Sequence, residues 1–344
     1  MQIEFGAVDH IDQQDRPISE TFDSRLKLIE LYDKAGFYAF HLTEHHFTPL
    51  GLSPSPNVFL AAASRITRKL RLATLVYVMT TYYPLRLAEE ICMLDQLSHG
   101  RLEIGAGRGI SPFEIGYFNV DHLQSREIFR EAWDIVMQAL TKDNVSFAGK
   151  YFQCHDVPFF MKPVQRPHPP VWQAPGNAEG VAAAARNNIS CAFNRPANWV
   201  KPMTDLYKKV WTETHGNSGK TMPKLAVGAH LYLDEHEQRA KERAEFGYDG
   251  WYKSFIQLWR KFVPMVPMQD TGGAGRQRLV MAGKPGQVRE QIEKLVEECG
   301  CNYFLARFAY GDLPFEESAA SLGLFVDEVM PHFAGAREVE RRAV

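Results

Sequence analysis

The chain has 344 residues, 39 Lys and Arg against 41 Asp and Glu, a net charge of −2 and five scattered cysteines. So even a charge gives no electrostatic reason to expect nucleic acid or an anionic membrane as partner. No run of about 18 apolar residues reads as a membrane span, the opening MQIEFGAVDH does not read as a leader, and Cys92, Cys154, Cys191, Cys299 and Cys301 match no zinc or redox spacing. The expectation is a cytoplasmic protein with reduced thiols that acts on small molecules.

In chain order, IEFGAV (3–8) reads as a strand and SETFDSRLKLIELYDKAG (19–36) as a helix, with Leu26, Ile29 and Leu31 near helical spacing and Gly36 placed to end it. FYAFHLTEH (37–45) follows as a second strand, Asn57 to Ile66 as a helix, and LRLATLVYVM (70–79) as a continuous apolar strand of the buried parallel kind. Pro84 opens a helix with Leu87, Ile91, Leu94 and Leu97 on one face, Gly100 closes it, and RLEIGAG (101–107) is the fourth strand. Asp121 and Gln124 are expected to form a capping box for a helix through Leu140.

Residues 143–168, rich in aromatic residues and proline, read as an insertion. The rhythm then resumes with VWQA, ISCAF, AVGAHLYL and YFLARF, separated by helical stretches near 178–187, 197–214, 235–262 and 285–298. The glycines of 263–282 suggest a mobile loop, with Met265 and Met268 as parts of a lid. Eight strands alternating with helices predict one (β/α)8 barrel domain over residues 1–344, the alternative being an open doubly wound sheet.

His41-Leu42-Thr43-Glu44-His45 satisfies the H-x-x-E-H pattern of a zinc protease, which requires a helix. Gly36 ends the preceding helix just before it and Pro49, Pro54 and Pro56 follow, so there is no room for one and no metal is expected. On a strand, His41, Thr43 and His45 share a face, and the last of them emerge where barrel enzymes build their sites. Gly105-Ala-Gly107-Arg108-Gly109 fails the dinucleotide spacing, because Ile110 stands where the third glycine belongs. Such a turn after strand four fits a planar or anionic ligand. Trp172 and Phe193 read as core, and no G-x-S-x-G elbow supports a hydrolase.

TEHHFTPLG, YYPLRLAEEICMLDQLSHGRLEIGAGRG, KPVQRPHPPVW and GKPGQVREQIEKLVEECGCNYFLARF, in that order, resemble the bacterial luciferase-like flavin-dependent monooxygenases from about residue 1 to 335. The resemblance implies a (β/α)8 barrel using reduced FMN, delivered by a transient flavin reductase, and dioxygen. The flavin 4a-hydroperoxide would oxygenate a mainly apolar aldehyde, ketone or similar substrate, and relatives are usually homodimers. Position by position, it implies acid–base work for His45 with Glu44 beside it, a cis peptide against the flavin ring at Leu75-Val76, flavin contacts at Gly107 and Arg108, and Arg126 on the phosphate. Arg126 reads equally as a solvated helix residue. His46, Tyr82 and Tyr83 are candidate substrate contacts.

The chain departs from its relatives after strand five, where their Ser-Pro-Glu-Ser type turn is replaced by Gly176-Asn177-Ala178-Glu179-Gly180. The hydroxyls are gone, leaving the backbone amides of a helix N-terminus for the phosphate. Alternatives on the same barrel are a deazaflavin-dependent reductase or dehydrogenase and a non-catalytic flavin-binding subunit.

Overall fold

A computed structural model describes residues 2–262 and 279–333. Its core is a closed parallel barrel of eight strands: β1 (Glu4–Asp9), β2 (Ala39–Leu42), β3 (Arg71–Thr74), β5 (Leu102–Gly107), β8 (Val171–Gln173), β9 (Ser190–Ala192), β10 (Leu225–Leu233) and β12 (Tyr303–Arg307). The ring closes where β12 pairs with β1 in the register Glu4↔Tyr303 to Ala7↔Ala306. β4 (Tyr77–Val78) extends the line of β3 and pairs with β5, and β11 (Val280–Gly283) adds to the C-terminal half of β10.

Helices α1 (Ile18–Ala35), α2 (Pro56–Ile66), α3 (Pro84–Leu97), α5 (Ser125–Thr141), α6 (Ala178–Arg186), α7 (Ala197–His215), α8 (Glu237–Phe262), α9 (Pro285–Cys299) and α10 (Phe315–Leu324) follow the strands. Their apolar stripes cover the outside of the barrel; Leu87, Ile91 and Leu94 of α3, for example, are all buried, each worth roughly 1.5–3 kcal/mol relative to exposure. Gly36 ends α1 in the left-handed conformation at φ 79°. Inside, Trp172, Tyr303 and Leu305 fill the barrel. Near its N-terminal end Glu103 accepts hydrogen bonds from the Trp172 indole, the Tyr38 hydroxyl and Arg71.

Several sequence expectations need correction. The second strand ends at Leu42 rather than His45, because its partners end there: Asp9 and Thr74 are the last residues opposite it. The Asp121–Gln124 capping box does not form; α5 starts at Ser125, and Asp121 Oδ1 instead accepts the Leu123 N–H at 2.9 Å within its own turn. A short helix α4 (Pro112–Gly116) stands where none was read, capped by Ser111 Oγ on the Glu114 N–H. The insertion at 143–168 carries an antiparallel hairpin, β6 (Asn144–Ala148) and β7 (Gln153–Pro158). The Glu131 carboxylate holds its turn by accepting from the N–H groups of Lys150, Tyr151 and Phe152. Of the expected loop at 263–282, Val280 onward is strand β11, while most of it, with Met265 and Met268, lies outside the described residues. Among the described residues no helix is long and apolar enough to cross a membrane.

Candidate active site

Thr43 to His46 leave β2 as irregular backbone at the C-terminal rim of the barrel, not as a helix. His41, still on the strand, points inward: its Nε2 lies 3.0 Å from the Tyr303 hydroxyl and its ring meets Trp172 edge on. The histidines of the H-x-x-E-H string are therefore divided between the barrel interior and its rim.

At the rim, His45 Nδ1 lies 3.1 and 3.3 Å from the two carboxylate oxygens of Glu114, the side chains being 14% and 5% exposed. Glu114 is delivered by α4. The Ser111 cap and Pro112 at the first helical position start that helix, which puts Glu114 three residues on, facing His45. A carboxylate at Nδ1 selects the tautomer and orientation of the ring and leaves Nε2 for chemistry.

Glu44 is engaged at both oxygens. Oε1 lies 2.8 Å from His46 Nε2, and Oε2 accepts from the Val78 N–H at 3.2 Å and the Tyr82 hydroxyl at 2.9 Å. Burial pushes its pKa up, and these partners offset part of that. The carboxylate thus ties the rim of β2 to β4 and the loop after it. The ring of His46 packs on Phe118, 4.9 Å between centroids. Tyr83, by contrast, is largely exposed and meets Phe152.

Between β3 and β4 the Leu75-Val76 peptide is cis. β5 lies directly against this backbone. A Cβ on Gly105 would stand 2.1 Å from the Thr74 carbonyl oxygen, and one on Gly107 2.2 Å from Val76 Cγ2. These glycines therefore admit the β3–β4 segment, a role within the fold that the ligand reading of the turn did not include. Arg108 follows, its Nη1 donating to Ser125 Oγ at 3.2 Å, and Arg126 is exposed in the first turn of the same helix.

β8 pairs with β5 at Ile104↔Val171 and Gly105↔Trp172, so the turns after these two strands are neighbours on the rim. The turn after β8 presents Gly176, Asn177 and Ala178, all exposed. Asn177 caps α6 by accepting the Gly180 N–H at 2.9 Å, and nothing stands within 4 Å of where a Cβ on Gly176 would lie.

The family model for luciferase-like monooxygenases matches residues 1–302. The chain belongs to the luciferase-like monooxygenase family. An uncharacterised protein, y4wF, of Sinorhizobium fredii is 36% identical over 96% of this chain and 97% of its own. The flavin-dependent trigonelline monooxygenase, oxygenase component, of Acinetobacter baylyi is 25% identical over 96% and 94%. Among solved structures, the oxygenating constituent of 3,6-diketocamphane monooxygenase from Pseudomonas putida, in complex with FMN, superposes with a TM-score of 0.81 at 20% identity, covering 98% of this chain and 100% of that one. As a member of this family the chain is an enzyme of the monooxygenase class.

Reading the luciferase-like sequence alone passed over Glu114, although Ser111-Pro-Phe-Glu114 has the S-x-x-E form of a helix start. It also passed over His10 and Arg307, whose signal is position: each stands at the C-terminal end of a barrel strand, where functional side chains collect.

Proposed function

We propose that this chain is the oxygenase component of a two-component system. It binds reduced FMN supplied by a separate flavin reductase and uses dioxygen to oxygenate a small, mainly apolar substrate at an aldehyde, ketone or similar centre. The observation that carries the reading is the His45–Glu114 pair at the mouth of the barrel. The relatives that are named flavin-dependent or hold FMN support the choice of cofactor.

The rim fits a phosphate-bearing ring in two respects. Gly176 to Ala178 open a helix N-terminus, and Arg108 and Arg126 belong to the turn and helix that follow the neighbouring strand, which supports a phosphate held by amides and cations there. The face of Leu75-Val76 would support the ring. Reduced flavin, once bound, supplies the electrons that activate dioxygen. The protein's own work is then to hold His45 with Nδ1 on Glu114 so that Nε2 exchanges a proton with the reacting oxygen or flavin nitrogen. Both oxygens of Glu44 are occupied, so its role is to position His46, Tyr82 and the β4 backbone rather than to transfer protons. The luciferase-like chain acts as one domain and pairs with a second copy through α2 and α3, which expose Val58 and Met93.

Purified protein mixed with photoreduced FMN in labelled dioxygen should incorporate one oxygen atom into a carbonyl substrate. Binding of a deazaflavin in preference to FMN, with hydride transfer and no label, overturns the reading. Replacing His45 by alanine should leave the fold intact while hydrogen peroxide release rises at the expense of product; unchanged coupling removes His45 from the proton path.

A further inference from the structure

A second polar cluster lies beside His45 and is not used by the chemistry above. The ring of His10, next after β1, stacks on His45 with centroids 5.5 Å apart and planes 22° apart, and meets the indole of Trp251 on α8 at 5.6 Å. Trp251 in turn lies 4.6 Å from the ring of His230 on β10 and 5.5 Å from the guanidinium carbon of Arg307, which ends β12. His230 Nδ1 lies 3.1 Å from the Leu279 carbonyl oxygen and so donates to it. Its Nε2 must therefore accept, and it does so from Arg307 Nη1 at 2.9 Å. His230 is thus a neutral ring that fixes how the guanidinium stands. Burial holds both His10 and His230 well below the ordinary imidazole range, the Arg307 charge adding to it.

Among the described residues, the carboxylates whose charge acts most on this guanidinium, Asp9 and Asp12, make their contacts with other groups. Asp9 pairs with Arg25 at 2.9 Å and accepts the Ile11 N–H at 2.7 Å. Asp12 accepts the Gly311 N–H at 2.7 Å through Oδ2, while its Oδ1, 3.9 Å from Arg25, makes no hydrogen bond; the charges of Asp9 and Asp12 act on Arg307 through space without an ion pair. Among the described residues Arg307 has one hydrogen-bond partner, His230, and no ion pair. Its Nε, the Trp251 Nε1 and the His10 Nδ1 are all buried with no hydrogen-bond partner among the described residues. Buried donors without acceptors are rare, and a buried cation with no anion in contact rarer still. Arg307 and His10 are deeply enclosed, yet each keeps some accessible surface.

We infer that Arg307, Trp251 and His10 form a carboxylate subsite next to His45, so that the substrate is an apolar acid. The Nε edge of the guanidinium has the fork geometry that a carboxylate matches, and the aromatic walls of Trp251 and the histidines suit the apolar remainder. That the ligand is the substrate rests on the monooxygenase reading; that the subsite binds an acid does not.

The test is calorimetric titration of the full chain with benzoate and hexanoate against benzamide and hexanamide, with and without FMN. Each acid should bind at least about tenfold tighter than its amide, and Arg307→Met should weaken acid binding by about thirtyfold or more while amide and FMN affinities stay within about twofold. Arg307→Lys, which keeps the charge and loses the fork, should fall between. The acid-over-amide comparison on the unaltered chain stands even if Arg307→Met fails to fold. The subsite is overturned if no acid is preferred over its amide, or if Arg307→Met weakens FMN binding instead, which would assign the guanidinium to the flavin ring. Acid binding without oxygen incorporation sinks the monooxygenase reading and leaves the subsite; incorporation into neutral carbonyls without acid preference does the reverse.

Discussion

His45 and Glu114 stand 69 positions apart in the chain and 3.1 Å apart at the rim. An imidazole alone rotates freely about two bonds; a carboxylate on Nδ1 removes that freedom and sets which nitrogen faces the chemistry. Removing the carboxylate should therefore cost coupling more than binding. Glu114→Ala is expected to lower product formed per flavin oxidised by about tenfold, less than the roughly hundredfold or more lost with a group that itself transfers the proton. Glu114→Gln should keep part of the activity, and FMN affinity should barely move. Product yield and peroxide release measured on the same sample check this. Equal coupling in all three proteins would show that Glu114 merely fills space. At this scale the Glu-His-His string made His45 legible from the sequence. Its partner was visible only as a helix-start signal whose direction the sequence does not state.

The elements at the rim are held by contacts that differ in tolerance, and two glycines show it. A Cβ on Gly107 would lie 2.2 Å from Val76 Cγ2 and 3.2 Å from Val76 Cβ, so β5 and the β3–β4 segment would have to separate. Gly107→Ala should destabilise by about 1–3 kcal/mol, the usual range for overpacking, and weaken FMN binding along with it. Gly176→Ala meets open space and should change stability by less than about 0.5 kcal/mol. Thermal midpoints of the two variants, measured side by side, check the pair; equal losses would mean that the tight approach at Gly107 is absent in solution. Glycine-rich turns look alike in a sequence. Which glycine is pressed against a neighbour and which is open follows from the pairing of β5 with β3 and β4, and that pairing exists only in the folded sheet.

The whole molecule carries the consequence of burying histidines. His41 sits inside the barrel, where burial first and the Lys224 charge second push its pKa down to about 3. The unfolded chain binds a proton there below about pH 6.5, whereas the folded protein does not until near pH 3. Stability from this group is thus full above pH 6.5 and is lost as the pH falls towards 3. At pH 5 the loss amounts to about 2 kcal/mol. His41→Gln should flatten the pH dependence by that amount, read as the difference in denaturant midpoints between pH 7.5 and pH 5; an undiminished acid sensitivity would mean that His41 is protonated in the folded state.

Apolar periodicity along the chain was sufficient to place the eight barrel strands and the main helices, because a strand buried on both faces and a helix with one buried stripe each impose a pattern on near neighbours. That pattern does not say where a strand stops for want of a partner, which is why β2 read three residues too far at its C-terminal end and the four-residue β11 passed for loop. Nor does it show which carboxylate reaches His45, or that Arg25 takes Asp9 while Arg307 is left with a neutral histidine. Those pairings join different elements, 69 positions apart for His45 and Glu114 and 77 for His230 and Arg307, and hydrogen-bond distances of about 3 Å are set by how strands and helices pack in the barrel, not by any spacing along the sequence.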